Sequence, residues 1–144
     1  MPAKAEKFTD RTETALVAEA LSQPGSDVSH LASFELGPPY ISRDGTTLMQ
    51  GARQLRFHGI EGPHAAEVCL DEQGGRWACG LQARAALHNL LAGGLLTCTP
   101  QLALGNGNVS VSCLVKTTVD GSAKDVAQAL VGRGWARLCF GVQV

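Results

Sequence analysis

Five short segments with the alternation and composition of β-strands follow one another from Tyr40 onward, and they restrict the fold more than any other feature of the chain. The segments read YIS, TTLM, RQLRFHGI, LLTCTP and VSVSCLVK. Turn signals at Asp44-Gly45 and in ALGNGN separate the first two and the last two segments. Two β-hairpins are therefore predicted, with a single strand between them.

Two helical segments accompany these strands. GLQARAALHNLLAGG lies between the third and fourth strands, and SAKDVAQALVGRG follows the fifth, where we expect Ser122 to cap a helix that ends at Gly132. The first helix has one apolar face, made of Ala83, Leu87, Leu90 and Leu91. This order predicts a mainly β fold with helices (α+β), namely a five-stranded OB-type barrel with a helix between strands three and four and a C-terminal helix.

The region before Tyr40 does not have the strand-like pattern of the rest of the chain. Residues 9–22 predict an additional N-terminal amphipathic helix, with Asp10 and Glu13 as a capping box. The Pro-, Gly- and Ser-containing stretch 23–39 is predicted to be a linker. We expect three parts: an N-terminal helix and linker at 1–39, the barrel domain at 40–138 and a tail at 139–144.

The chain has five cysteines and no C-x-x-C pair, so the sequence offers no standard zinc motif. Cys69 and Cys79 bracket a Gly-rich loop, whereas Cys98 and Cys113 lie on the two strands that flank ALGNGN. We predict these two pairs as disulfides and Cys139 as a free thiol, the alternative being that all five are small buried hydrophobic residues. Disulfides would indicate a periplasmic or secreted protein whose signal peptide is absent from this sequence. No apolar run approaches the roughly 20 residues of a membrane span.

The formal net charge of −1 lacks the basic character typical of nucleic-acid-binding domains. Arg43, Arg53 and Arg56 fall close together, and with Tyr40 they are candidates for ligand binding, although the arginines also suit a solvated strand face. Aromatic residues make up 5% of the chain, which leaves few surfaces on which bases can stack. The aromatic candidates, most of them more suited to a core, are Tyr40, Phe57, Trp77 and Trp135.

An ordered series of motifs covers about two-thirds of the chain. It comprises RDGTTLMQGARQLRFHGIEGPH up to His64, then CLDEQGGRWACGLQA, the cysteines of the last two strands, and LVGRGWA near the C-terminal end. In this order the motifs resemble those of the thermonuclease (staphylococcal nuclease-like) family, and most closely its cysteine-containing bacterial branch. The resemblance supports the OB-type barrel, and it does not extend to the N-terminal helix or the tail.

The resemblance implies a specific chemistry. Members of the family cleave phosphodiesters with a calcium ion held by two aspartates, a glutamate as general base and two arginines on the phosphate. Calcium requires several oxygen ligands, and cations must stabilise the negative charge of the transition state. The general base must accept a proton near neutral pH.

Most of that set is altered here. Asp44 matches an aspartate that supports the site, but Thr46 stands where the first metal-binding aspartate belongs. Glu61 replaces the second metal ligand, and His64 replaces the general base. Arg56 matches the first arginine, whereas Asn108 or Gly107 occupies the place of the second.

These substitutions predict a catalytically inactive or severely weakened protein, without a bound metal or cofactor, that acts as a binding or structural module in the cell envelope. One alternative is an active, calcium-dependent phosphodiesterase with an altered metal site. Another is a carbohydrate-binding module or a protein associated with exopolysaccharide (succinoglycan) biosynthesis. The ligand would then be an oligonucleotide or an oligosaccharide. A transition-metal site built from His58, Glu61 and His64 is a further hypothesis.

Overall fold

The computed structural model describes residues 23–117 and 121–139, so the predicted helix at 9–22 lies outside the described residues. Eleven strands and two helices are present in that part of the chain. The strands are β1 (Phe34–Leu36), β2 (Ile41–Asp44), β3 (Thr47–Gln50), β4 (Arg53–Phe57), β5 (Ile60–Glu61), β6 (Cys69–Leu70), β7 (Arg76–Trp77), β8 (Gly94–Gly105), β9 (Asn108–Thr117), β10 (Ala123–Asp125) and β11 (Arg137–Leu138). The helices are α1 (Cys79–Leu91) and α2 (Val126–Gly132).

The main sheet has the strand order β1-β8-β9-β4-β3-β2, with β10 added along β9. All of its neighbours are antiparallel except β4 and β9, which run parallel. Strands β1 and β2 are the two ends of this order, yet only residues 37–40 separate them in the chain. That connection spans at most about 18 Å, whereas six flat strands would place their outer members about 24 Å apart. The sheet therefore curls into a half-barrel, and the mainly β, α+β class predicted from the sequence is confirmed.

The interior of the curled sheet is the hydrophobic core. Alternate residues of the strands point inward, and both helices cover them with one apolar face. The predicted inner face of α1 is correct, because Ala83, Leu87, Leu90 and Leu91 are all buried. The largest fully buried side chain is Phe57, one of the aromatic residues that the sequence assigned to either a core or a stacking role.

Two local predictions differ from the structure. Residues 123–125 extend the sheet as β10 beside Leu114 to Lys116, so α2 begins later than expected. Its N-cap is Asp125 rather than Ser122, and the Asp125 Oδ1 accepts a hydrogen bond of 3.0 Å from the Gln128 N–H.

Part of the stretch predicted as a linker belongs to the packed structure. Strand β1 lies within it and pairs with β8. Val28 is fully buried, and its N–H donates to the carbonyl oxygen of Gln101 at 2.9 Å. An apolar anchor of this kind, isolated among Ser, Asp and His, gives no periodic pattern by which a sequence could reveal it.

Both predicted disulfides are confirmed. Cys69 is bonded to Cys79 and Cys98 to Cys113, while Cys139 is a free thiol. Within the residues that the structure describes, no helix is both long and apolar enough to cross a membrane.

Tyr40 joins the two ends of the sheet. Its hydroxyl oxygen lies 2.6 Å from the carbonyl oxygen of Gly94, where β8 begins, and 3.0 Å from that of Leu36, at the end of β1. Burial raises the pKa of Tyr40. The hydroxyl that the sequence offered as a ligand-binding group is thus already used by the backbone.

We expect Tyr40→Phe to lower the free energy of unfolding by about 1 kcal/mol, because the substitution leaves a partly buried carbonyl without its donor. Urea denaturation measures the change, and the slope of the transition should stay constant. Gln50→Ala, at the exposed end of β3, serves as the control and should stay within about 0.5 kcal/mol of the parent. Equal stability of Tyr40→Phe and the parent protein would contradict the structural role of this hydroxyl.

Candidate functional site

The turn between β2 and β3 holds the first two positions of the expected nuclease site. Asp44 Oδ1 accepts hydrogen bonds from the backbone N–H of Thr46 at 2.9 Å and from its hydroxyl at 3.1 Å. Thr46 is only 4% exposed. Gly45, between them, packs directly on α1, since a Cβ there would come within 2.7 Å of the Ala83 Cβ. The turn is therefore held by its own hydrogen bonds and by packing on α1, and the buried Thr46 hydroxyl already donates to Asp44.

Glu61 lies next to this turn but faces a different partner. Strand β5 pairs with β11, which places Arg137 directly opposite Glu61, and the Arg137 Nε donates to Glu61 Oε1 at 2.7 Å. A Cβ at the next residue, Gly62, would lie 3.1 Å from the Thr46 methyl group, so the two segments are in close contact. His64 follows on an open loop, where its side chain is 89% exposed and its Nε2 lies 3.8 Å from Glu67 Oε1.

These residues do not form a donor set that fits calcium. A calcium ion takes six to eight oxygen ligands, usually with several carboxylates among them. Here Asp44 accepts the hydrogen bonds of the Thr46 turn, Glu61 is paired with Arg137, and Thr46 brings no charge. No catalytic step through a calcium ion can be derived from this arrangement.

The two arginine positions also differ from a phosphate clamp. Arg56 is exposed on β4, where its neighbours across the sheet are Thr47 and Ser110. Asn108, which with Gly107 is one of the two candidates for the place of the second arginine, accepts a hydrogen bond of 2.8 Å from the Gln54 N–H through its side-chain oxygen. That position ties the start of β9 to β4 and does not supply a cation.

The three clustered arginines do not form one surface. Arg53 and Arg56 are three residues apart on β4, so their side chains leave the strand on opposite faces. The Arg53 guanidinium packs 5.8 Å from the ring centre of Phe34, and burial lowers the pKa of Arg53. Arg43 is exposed on β2, on the other side of β3 from β4.

The proposed transition-metal set is also not assembled. His58 Nδ1 lies 3.1 Å from the hydroxyl of Ser110, and burial lowers the pKa of His58. Across residues 23–117 and 121–139, the only grouping of three metal-binding side chains consists of Glu67, Cys69 and Cys79. The two cysteines of that group are joined in a disulfide.

What the structure does assemble is a cleft of about 530 Å³ beside the disulfide hairpin β6–β7. Trp77 and Trp135 stand in it with their ring centres 6.4 Å apart and their planes at 58°. Its polar groups are the carboxylates of Glu61 and Glu67, the guanidinium of Arg137 and the imidazole of His64. Of the residues predicted for the nuclease site, Glu61 and His64 line this cavity.

Three local structures position these side chains. The β6–β7 pairing sets Trp77 opposite Cys69. Gly134 follows the C-cap of α2 at φ 81°, the left-handed conformation that glycine favours, and the next N–H, of Trp135, donates to the Leu130 carbonyl oxygen at 2.9 Å. The chain then enters β11, which carries Arg137 to Glu61.

Two polar residues of the cleft were not anticipated. Arg137 is separated from Glu61 by 76 residues, and no local pattern links the two. Glu67 precedes Cys69 by two residues, and this proximity to a predicted disulfide was the one signal in the sequence for a role near the loop.

Comparisons of the chain with protein-family models, with curated proteins and with solved structures each found no match. The role of the protein is therefore inferred from the cleft and its surroundings, since a fold by itself does not specify a function.

Proposed function

We propose that this chain is a thermonuclease-like domain on an OB-type barrel that has lost nuclease chemistry and works as a ligand-binding module in the cell envelope. The observation that carries the proposal is the ion pair between Glu61 and Arg137. A side chain at a metal-binding position is thereby paired with a cation, and the same pair lines a cleft with two tryptophans.

The strand order supports an OB-type plan. The five strands predicted from the sequence correspond to β2, β3, β4, β8 and β9, and they neighbour one another in the order β2-β3-β4-β9-β8. A parallel contact joins the third and fifth of them, and α1 fills the connection between the third and fourth. The two disulfides support an oxidising compartment such as the periplasm or the extracellular space.

The chemistry of the cleft favours an oligosaccharide over an oligonucleotide. The two carboxylates of the cleft outnumber its one guanidinium, and this arrangement disfavours a polyanion. Donors and acceptors lie side by side, and sugar hydroxyls offer both functions at each oxygen. The tryptophan faces provide apolar surface for the flat side of a sugar ring.

We expect no calcium-dependent cleavage of DNA or RNA above a no-enzyme control, because the carboxylates and the second cation of the catalytic set are absent or occupied. Gel assays of DNA and RNA cleavage measure this, with a calcium-dependent nuclease run in parallel as the positive control. Arg56→Ala is the variant compared with the parent protein, because Arg56 is the one arginine that matches the nuclease pattern. Hydrolysis that requires calcium and disappears in that variant would establish the phosphodiesterase alternative instead.

The ligand class is tested by titrating a panel of neutral oligosaccharides and a single-stranded oligonucleotide while following tryptophan fluorescence. We expect saturable binding of a neutral oligosaccharide with a shallow salt dependence. Binding should weaken at least tenfold in Trp135→Leu, a loss of about 1.4 kcal/mol, and should be unchanged in the exposed-strand control Arg43→Gln. Preferential oligonucleotide binding that falls steeply with salt would assign the cleft to nucleic acid.

A further inference from the structure

A carboxylate and an imidazole lie beside the disulfide at the rim of the cleft. Glu67 offers a carboxylate oxygen that lies, together with the sulfurs of Cys69 and Cys79, in a group whose atoms are all within 4.8 Å of one another. The Cys69 Sγ is 3.8 Å from Glu67 Oε2, and the His64 Nε2 is 3.8 Å from Glu67 Oε1. The two sulfurs and the Glu67 oxygen therefore surround one small volume. The exposed His64 imidazole lies next to Glu67, where side-chain rotation can bring it toward that volume.

We propose that reduction of the Cys69–Cys79 disulfide creates a zinc site from these four side chains. In the oxidised protein the sulfurs are bonded to each other, and neither can act as a thiolate ligand. Once reduced, Cys69 and Cys79 supply two thiolates, Glu67 a carboxylate oxygen and His64 a neutral imidazole nitrogen. A tetrahedral set with sulfur and nitrogen donors suits zinc and excludes calcium and magnesium, which prefer oxygen ligands. This inference does not depend on the proposed function.

The backbone keeps the two cysteines in place without the disulfide. The β6–β7 hairpin fixes Cys69, and its loop is closed by hydrogen bonds between Asp71 and Gly75 at 2.7 and 2.8 Å. Cys79 is the first residue of α1, and the following N–H, of Gly80, donates to the Glu67 carbonyl at 3.1 Å. The backbone of Cys69, Cys79 and Glu67 is therefore positioned before any metal arrives.

The distances are compatible with a shared ion. The Cα atoms of Cys69 and Cys79 are 5.6 Å apart. Two thiolates on one tetrahedral zinc, each at about 2.3 Å, have their sulfurs roughly 3.8 Å apart. Side-chain rotation reaches that separation, so the hairpin and the helix need not move.

The reaction balances with a water-soluble phosphine as the reductant. The phosphine takes an oxygen atom from water and becomes a phosphine oxide, while the disulfide gains two electrons and two protons and becomes two thiols. Zinc then displaces the two thiol protons, and two zinc–sulfur bonds form. The second disulfide has no comparable surroundings, because Cys98 and Cys113 lie in the hydrophobic core.

Cobalt(II) is a suitable probe, because tetrahedral thiolate coordination gives it a strong visible spectrum that zinc abolishes on displacement. The experiment uses the full chain with Cys139→Ser, which removes the free thiol. After phosphine treatment we expect one equivalent of cobalt to bind with a thiolate-to-metal band, and zinc to replace it. The oxidised protein should give no such spectrum.

Separate variants identify the ligands. The double variant Cys69→Ser/Cys79→Ser should abolish the band. Glu67→Gln and His64→Asn should each weaken zinc binding by about 10- to 100-fold or more, because even the loss of a group that only supports a metal ligand has an effect of this size. These two variants retain every cysteine of the background and decide the proposal even if the cysteine variant fails to fold. Three results would overturn the proposal. The first is an unchanged cobalt spectrum in the variant without Cys69 and Cys79, and the second is unchanged zinc affinity in both Glu67→Gln and His64→Asn. The third is no cobalt uptake by the reduced protein although its circular dichroism spectrum is native.

Discussion

Replacing Cys98 and Cys113 together by alanine is expected to lower the free energy of unfolding by about 3 kcal/mol or more, and the melting temperature by roughly 10 °C. The two residues face each other directly on β8 and β9, with their Cα atoms 4.1 Å apart. Their bond closes a separation of 15 residues, which restricts the unfolded chain. Both residues are also buried, at 0% and 2% exposure, so the substitution removes core packing in addition.

Thermal and urea denaturation of the double variant measure the loss. Cys139→Ala is the matched control for removing a cysteine that forms no disulfide, and a much smaller change is expected there. The Cys69–Cys79 pair is a second comparison, because its separation of 10 residues predicts nearly the same chain-entropy term. If the Cys98/Cys113 variant melted within about 2 °C of the parent, the buried bond would not be the main constraint on the β8–β9 hairpin.

This disulfide also shows which part of the strand pairing can be predicted from the sequence. The turn signal in ALGNGN was enough to predict that Cys98 and Cys113 lie on facing strands. The strand register that places Cys98 directly opposite Cys113 depends on two irregularities, between Pro100/Leu102 and between Ala103/Gly105. If the pairing at Gly105 and Asn108 continued unchanged, Val115 would lie opposite Cys98. Bulges of this kind arise from packing over the whole sheet, and no residue in the segment identifies them.

The candidate site was predicted in part for a similar reason. The sequence predicts Thr46, and Asn108 or Gly107, as departures from the nuclease pattern that its motifs resemble, because the resemblance assigns each of them a place in the chain. What they do instead depends on partners, namely the Asp44 carboxylate and the Gln54 N–H. Trp77 and Trp135, and likewise Glu61 and Arg137, come from segments that meet only when the curled sheet and α2 are packed together.

Gly80→Ala is expected to destabilise the protein by about 1–3 kcal/mol, although alanine normally stabilises a helix relative to glycine by about 1 kcal/mol. Gly80 is the second residue of α1, and a Cβ there would overlap the carbonyl oxygen of His64. The same Cβ would come within 2.7 Å of the Ala65 carbonyl oxygen. These are backbone atoms, so the loop must move away from the helix, and the hydrogen bond from the Gly80 N–H to Glu67 would lengthen.

The sign of this change distinguishes close packing from helix propensity, and Gly132→Ala is the control that isolates it. Gly132 is the last residue of α2, and a Cβ there would meet nothing within 4 Å, so stability should stay constant or rise slightly. The displaced loop carries His64 and Glu67, which line the cleft with Trp77. Gly80→Ala should therefore also change the near-ultraviolet circular dichroism of the tryptophans, whereas Gly132→Ala should not. A Gly80→Ala protein as stable as the parent, with an unchanged aromatic spectrum, would mean that the loop does not rest on the start of α1 and that the wall of the cleft is set by other contacts.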